Sequence, residues 1–454
     1  MSVNITFLGG TGTVTGSKFL VQHQGQSLLL DCGLFQGYKQ LRLRNWQPLP
    51  VALDKIGAVV LTHAHLDHSG HLPLLVRDGY SGKVYASSGT RDLCAILLPD
   101  SGHIQEEDAA FLNRHKLSKH EPALPLYTRQ DALDCLPHIK AQAWNKAFEP
   151  LPGWRVTLTP AGHILGASSV LLELAGRRIL FSGDVGRPDD LIMKPPEAPP
   201  AADTVLIEST YGDREHPRED LLAELGPALQ RAAARGGVAV LPVFAVGRAQ
   251  AILHAIGLLK ASGVVAKGLP VFLDSPMAIH TTEMFARHMG EHRLNAREVH
   301  AMTQHATMLR TPDESRALAS RHGPMVILAA SGMATGGRVL HHLKQYLPDH
   351  RNMVVLTGYQ PPGTRGATLA SGNKSVRIHG QDVAVNAEVV QLESASAHAD
   401  AKQLVRWLRS MPTAPDQVYV VHGDPGPSDE LRKRIQHELG WRALVPEHGS
   451  TWPA

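Results

Sequence analysis

Four side chains able to bind a divalent metal stand within six residues at His63-Ala64-His65-Leu66-Asp67-His68. The apolar run Ala58 to Leu61 before them reads as a strand and Ser69 to Arg77 after them as a helix, so the four groups sit at a strand end. Alternating imidazoles in a tight loop can face one metal while the following Asp and His face a neighbour. Imidazole with carboxylate and no thiolate is an ordinary zinc environment. The competing account is a polar loop that caps the next helix, but four such groups so close together have no packing purpose. Two later strand ends offer His163, in Pro160-Ala161-Gly162-His163, and Asp184, in Phe181-Ser182-Gly183-Asp184. Either residue alone would as readily be a cap or a turn residue. Together they supply what HxHxDH lacks.

The chain holds 26 histidines, so position has to sort them. His71 lies one turn into the expected helix, and His341 and His342 lie in an amphipathic stretch; all three read as core or solvated residues. His216 has no assigned role. Cys32 adjoins Asp31 but points the other way along a strand and reads as packing.

The elements that must hold these residues alternate in character. Asn4 to Leu8, Ser27 to Leu30 and Ala58 to Leu61 read as strands. A more helical stretch from Gln105 to Ala147 interrupts them before strands resume at Arg155 to Thr159, Ser169 to Leu174 and Arg178 to Ser182. Beyond the Pro-rich loop Lys194 to Pro200 the pattern turns to helix and strand in alternation: helix Arg218 to Arg235, strand Val238 to Val243, helix Arg248 to Ala261 and strand Val271 to Leu273. Met325 to Ala330 and Met353 to Thr357 then look like buried parallel strands. The tail offers strand Val389 to Leu392, helix Ala401 to Arg409 and strand Val418 to Val421, ending at His422.

Composition bounds the class. A chain of 454 residues, 43% hydrophobic and 19% charged, suits a globular protein of two or three domains. No apolar run approaches the roughly 20 residues of a membrane span, and the N-terminus does not read as an export signal. Three cysteines without CxxC spacing fit a reducing cytoplasm rather than a disulfide framework or a thiolate zinc site. A net charge of +3 decides nothing about partners.

Asp31 in Leu28-Leu29-Leu30-Asp31-Cys32-Gly33, the HxHxDH run, His163 and Asp184 resemble the ordered metal motifs of the metallo-β-lactamase superfamily. The resemblance implies an α/β fold, the αββα sandwich. It also implies that His63, His65 and His163 hold one zinc, that Asp67, His68 and a later His hold the other, and that Asp184 bridges. Asp31 would orient a ligand imidazole by hydrogen bonding. Two zinc ions outweigh Asp67, Asp184 and one hydroxide by a single positive charge, which suits a phosphate. Carbonyl substrates could use the same device.

Ile207 to Gly212, Ser394 to Asp400 and Val420 to Asp424 are similar to motifs A, B and C of the β-CASP nucleases. Pro242 to Arg248, Ser331 to Arg338 and Gly358 to Thr364 are similar to that family's inserted domain. The implied architecture is a metallo-β-lactamase core at 1–208 and 388–454 with a β-CASP insert at 209–387, forming a positively lined cleft. A histidine at motif C marks the RNA-processing branch, so His422 completes the second zinc set and points to RNA. The implied activity is a dinuclear zinc ribonuclease, acting as an endonuclease, a 5′ exonuclease or both and leaving 5′-phosphate and 3′-hydroxyl ends. Its catalytic set would be His398, Glu208, Asp184 and Asp67, with His398 the general acid held cationic by Glu208.

The expected partner is single-stranded RNA, with no membrane. A homodimer is an option, although the chain ends too soon after Pro446 for the extra C-terminal domain of the RNase J branch. Ser331, Thr335 and Arg338 lie on a Gly-rich turn that could hold an RNA phosphate or be a close-packed turn needing small residues. A small-molecule thioester or lactam hydrolase and an inactive RNA-binding subunit are the rival readings. The β-CASP motifs argue against the first and the intact ligand set against the second.

Overall fold

A computed structural model describes residues 2–217 and 219–454 and divides the chain into two compact units. The first comprises residues up to Asp190, Lys194–Glu215 and His398–Ala454; the second comprises Leu191–Met193 and His216–Ala397. Arg218, where a helix is expected to begin, lies outside the described residues, and the observed helix runs Leu221–Ala234.

The first unit is an αββα sandwich of two seven-stranded sheets. One sheet orders its strands Thr451–Pro453, Asn4–Phe7, Phe19–His23, Gln26–Leu30, Ile56–Val60, Lys83–Ser87 and Ile139–Gln142. The other orders Ala443–Leu444, Gln417–Val420, Thr204–Ile207, Arg177–Phe181, Ser168–Leu174, Trp154–Pro160 and Phe148–Leu151. Period-two alternation drives the stacking. Ile5, Phe7, Val21, Leu28, Leu30 and Val60 face Val156, Leu158, Val170, Leu172, Ile179 and Phe181 in one apolar layer. The opposite-parity residues Leu171, Leu180, Val205, Ile207, Val418 and Val420 pack on Leu404, Val405 and Leu408 of helix Ala401–Arg409 and on Leu431 of helix Pro425–Arg434. Strands buried on both faces read as continuous apolar runs, which is why they are visible in the sequence.

Two expectations for this unit change. The helical stretch read from Gln105 begins much earlier, at Ser88, and runs to Arg114 with Ser87 accepting the N–H of Thr90 as its cap. Pro99 and Gly102 disguise its first half. Gly102 is there for contact, since a Cβ would stand 2.6 Å from the carbonyl oxygen of Thr128. Strands Ile139–Gln142 and Lys83–Ser87 flank this helical region. The single helix expected at Ser69 to Arg77 is instead two, Leu66–Ser69 and Leu72–Arg77. Pro73 falls in the first turn of the second helix, where its missing N–H leaves no hydrogen bond unmade.

The second unit carries a six-stranded, all-parallel sheet in the order Thr307–Met308, Val271–Leu273, Met325–Ala329, Val238–Pro242, Met353–Leu356 and Glu388–Gln391. Helices Arg248–Ala261 and Val339–Tyr346 are among its connections. Strand Glu388–Gln391, read from the sequence as the start of the returning core, adds to the edge of this sheet by pairing in parallel with Met353–Leu356. Among the described residues no helix is long and apolar enough to cross a membrane.

Candidate metal centre

The candidate ligands follow strand ends of the first unit, Asp67 and His68 from within the short helix Leu66–Ser69. Leu30 ends its strand, and Asp31 turns into the left-handed region with φ of +56°. That turn carries its carboxylate back under the neighbouring strand. There Oδ1 accepts the Thr62 N–H at 2.7 Å and Oδ2 accepts the Thr62 hydroxyl at 2.9 Å and the His68 Nδ1–H at 2.7 Å. The Thr62 hydroxyl oxygen in turn lies 3.1 Å from His63 Nδ1 and accepts its N–H. Asp31 and Thr62 therefore put the ring protons of His63 and His68 on Nδ1 and leave Nε2 to face inward. Thr62 carries no distinguishing signal in the sequence, since threonine at a strand end is commonplace.

The inward-facing atoms form groups. His63, His65, His163 and Asp184 bring one atom each within 4.8 Å of one another, as do Asp67, His68 and His422, and as do Asp184, Glu208 and His398. Asp184 joins the groups: Oδ2 lies 3.4 Å from His63 Nε2 and 3.6 Å from His163 Nε2, while Oδ1 lies 3.3 Å from His68 Nε2 and 3.5 Å from His422 Nδ1. His422 follows strand Gln417–Val420 with φ of +48°, its N–H donating to the Gly10 carbonyl at 2.6 Å. Its Nε2 lies 3.1 Å from His68 Nε2 and 3.4 Å from Asp67 Oδ2. The Thr210 hydroxyl stands 3.1 Å from its Nδ1.

The electrostatics suit a cation. Burial pushes His63 down to about 3 and His65 to about 4 and holds His163 well below the usual imidazole range, so all three are neutral donors. Burial would also lower His68, but the surrounding Asp184, Asp31 and Asp67 outweigh it and hold His68 well above its ordinary value. Burial would raise the Asp184 carboxyl, yet His422, His68 and His63 keep it well below the usual range. His68 thus holds a proton where two carboxylates and a second imidazole converge, and a divalent cation can take that proton's place. Asp184 Oδ1 is buried and accepts no hydrogen bond among the described residues. The donor set fits metal on these grounds.

Beside the centre, Glu208 follows strand Thr204–Ile207 and is wholly buried. Its Oε1 accepts the Val185 N–H at 2.8 Å and its Oε2 the Thr210 N–H at 3.3 Å. The two oxygens lie 3.1 and 3.2 Å from His398 Nδ1, and the His398 side chain is 20% exposed. Burial would lower this imidazole, but the Glu208 charge and hydrogen bond, with Asp184 beyond, raise it.

The Gly-rich turn belongs to the second unit. The Ser331 and Thr335 hydroxyls hydrogen-bond each other at 2.9 Å. The Arg338 guanidinium is committed inward, donating to Asp274 Oδ1 at 2.7 Å and to the carbonyls of Leu309 and Arg310. Asp274 is fully buried and also receives the Ser315 hydroxyl at 2.5 Å and His342 Nε2–H at 2.7 Å. This network explains why His342 is a core residue. Nothing in the sequence around Asp274 singles it out.

Fold and donor set define a metal-dependent hydrolase of the metallo-β-lactamase type. Residues 26–243 match the beta-lactamase superfamily domain, 249–369 the Beta-Casp domain, and 382–446 the Zn-dependent metallo-hydrolase RNA specificity domain. The chain is 36% identical over 435 residues to "Ribonuclease TTHA0252" of Thermus thermophilus, covering 93% of each chain. It is 30% identical over 461 residues to "Transcription termination factor FttA" of Methanocaldococcus jannaschii, covering 98% of this chain and 70% of that one. A crystal structure of an Enterococcus faecalis protein of unknown function shares the fold over the full length of both chains, with a TM-score of 0.54 at 14% identity. The chain belongs to the β-CASP ribonuclease family of the metallo-β-lactamase superfamily.

Proposed function

We propose that this protein is a two-zinc ribonuclease that hydrolyses phosphodiester bonds of single-stranded RNA. The observation that carries this reading is the meeting of two imidazole sets at Asp184, directly beside the His398–Glu208 pair. Family membership and the RNA specificity match at 382–446 support RNA as the substrate. In this reading His63, His65 and His163 would hold one zinc, Asp67, His68 and His422 the other, and Asp184 would serve both. When bound, such a pair supplies Lewis acidity that lowers the pKa of a water and steadies the phosphoryl oxygens.

The protein's own residues do the rest. Asp31 and Thr62 fix the tautomers of His68 and His63. Glu208, anchored by two backbone N–H groups, binds His398 Nδ1 and leaves Nε2 as the nitrogen that gives its proton to the departing 3′ oxygen. Water, and not the RNA 2′-hydroxyl, attacks phosphorus, so the products carry 5′-phosphate and 3′-hydroxyl ends.

The test is incubation of the purified full chain with 5′-phosphorylated and internally labelled RNA, matching DNA and a thioester. RNA should be cut to those ends. A 2′,3′-cyclic phosphate, or preferred cleavage of the thioester, would overturn the reading. The role of His398 has its own test. His398→Ala should keep zinc and RNA binding while losing roughly a hundredfold to ten-thousandfold in rate. The defect should shrink on RNA whose leaving oxygen is replaced by sulfur, which needs little protonation. An equal defect on both substrates would make His398 a structural or binding residue.

A further inference from the structure

The 22 residues between Asp31 and Asp54 contain no carboxylate and three cations, Lys39, Arg42 and Arg44. Their structure is a closed excursion. Asn45 clasps the backbone of Phe35, accepting its N–H and donating to its carbonyl, both at 2.8 Å. Residues 36–44 project from that clasp, and the short helix Lys39–Leu43 within them has no buried residue at all. Tyr38 is 56% exposed, Leu43 52% and, just beyond the clasp, Trp46 56%. Lys39 and Arg42 are exposed, and among the described residues neither makes an ion pair.

The root of this lobe runs along the metal ligands. The Cys32 N–H donates to the His68 carbonyl at 2.7 Å, the Leu34 N–H to the Leu66 carbonyl at 2.8 Å, and the Gln36 N–H to the Thr15 hydroxyl at 3.2 Å. Thr13, which shares a hydroxyl contact with Thr15, pairs with Gly423 beside His422. The lobe therefore rises from the rim of the centre.

A helix with no buried face gains nothing from packing, and large aromatic surface in water costs free energy unless something covers it. Aromatic rings interleaved with unpaired cations and no acid match the surface of single-stranded nucleic acid, whose bases stack and whose phosphates pair with Lys and Arg. We infer that the lobe formed by residues 36–46 is a docking platform for the RNA strand entering or leaving the metal centre. Tyr38 and Trp46 carry stacked bases, and Lys39 and Arg42 carry phosphates. The inference rests on the ribonuclease reading.

The experiment uses the full chain in the His398→Ala background, so that a fluorescein-labelled oligouridylate survives the titration. Tyr38→Ala and Trp46→Ala should each weaken RNA binding about 5- to 150-fold, with an unchanged salt dependence. Lys39→Gln and Arg42→Gln should each lower the slope of log affinity against log salt by about 1. Arg155→Gln, an exposed cation on strand Trp154–Pro160, is the control and should leave affinity as it was. All the substituted side chains are exposed, so folding is not at stake.

Wild-type protein that neither binds nor cuts RNA brings down the ribonuclease reading itself. Wild-type protein that does both, with lobe variants matching the affinity and salt slope of the His398→Ala protein, brings down only the lobe. Sedimentation showing a dimer that lobe variants dissociate, with RNA affinity intact, would overturn the inference and make the lobe a surface for a second copy of the chain.

Discussion

Asp184 faces both imidazole sets at once, with its two oxygens on opposite sides. Asp184→Ala should therefore lower total metal content, measured by mass spectrometry of the purified protein, and abolish RNA hydrolysis. Active wild-type enzyme holding one metal or none would refute the two-zinc assignment. Asp31 acts through His68. Asp31→Ala should weaken zinc binding by about 10- to 100-fold in a competition titration with a chromophoric chelator. His71 lies outside this set and reports on acid stability. It is buried with its Nε2–H on the Asn45 carbonyl at 3.2 Å, and burial, aided by the Lys18 charge, pushes it down to about 3. The unfolded chain binds that proton near pH 6.5, so the unfolded state gains protons first as pH falls and stability is lost between about 6.5 and 3. His71→Gln should flatten the loss seen in urea unfolding from pH 7 to pH 4 by up to about 1.4 kcal/mol per pH unit. An identical acid limb in both proteins would show that His71 is not held neutral.

At the scale of elements, the site depends on how closely backbones approach. Gly33 lies against the ligand-bearing turn, where a Cβ would stand 1.6 Å from the Asp67 carbonyl oxygen. No rotamer change relieves a clash with backbone, so Gly33→Ala must push the 66–68 segment away from its partners. The expected result is loss of metal and a lower melting temperature, whereas Gly268→Ala, with open space around its Cβ, should change neither. Full metal occupancy in Gly33→Ala would mean that the turn has slack the close contact does not suggest. The sequence places these elements unevenly. Runs buried on both faces, such as Met325–Ala329, announce themselves as strands. Phe19–His23 and Lys83–Ser87 do not, because short strands without clean alternation look like loop.

On the scale of the whole molecule, each unit has an apolar core of its own, one between the two sheets and one around the parallel sheet. Calorimetry should resolve two transitions with separate sensitivities. Chelation should lower the transition of the metal-bearing unit, because ligand that binds only the native state stabilises it by mass action. Asp274→Ala should instead lower the other transition, since it leaves the Arg338 guanidinium and the buried His342 Nε2–H without their carboxylate partner at a cost of about 3–5 kcal/mol. A single transition shifted by both treatments would show that the units unfold together.

The candidate ligands are written locally. Four groups able to bind metal in six residues, followed by His163 and Asp184 at later strand ends, require no tertiary knowledge to be noticed, because strand ends are where a sandwich exposes side chains to a common rim. Which distant groups meet is not written in the chain's own spacing; the family resemblance implied it, and the tertiary structure brings it about. His398 lies 190 residues from Glu208, and His422 lies 354 from His68, and the strand order brings each pair together. Spacing in the chain carries no trace of such contacts. The same holds for Thr62, for Asp274 and for the Asn45 clasp, which are ordinary residues until packing gives each a partner. The direction of the Arg338 side chain was decided in the same way. A Gly-rich turn and a following arginine read equally well as a phosphate cradle or a structural turn, and only a buried aspartate on a separate strand end turns that guanidinium inward.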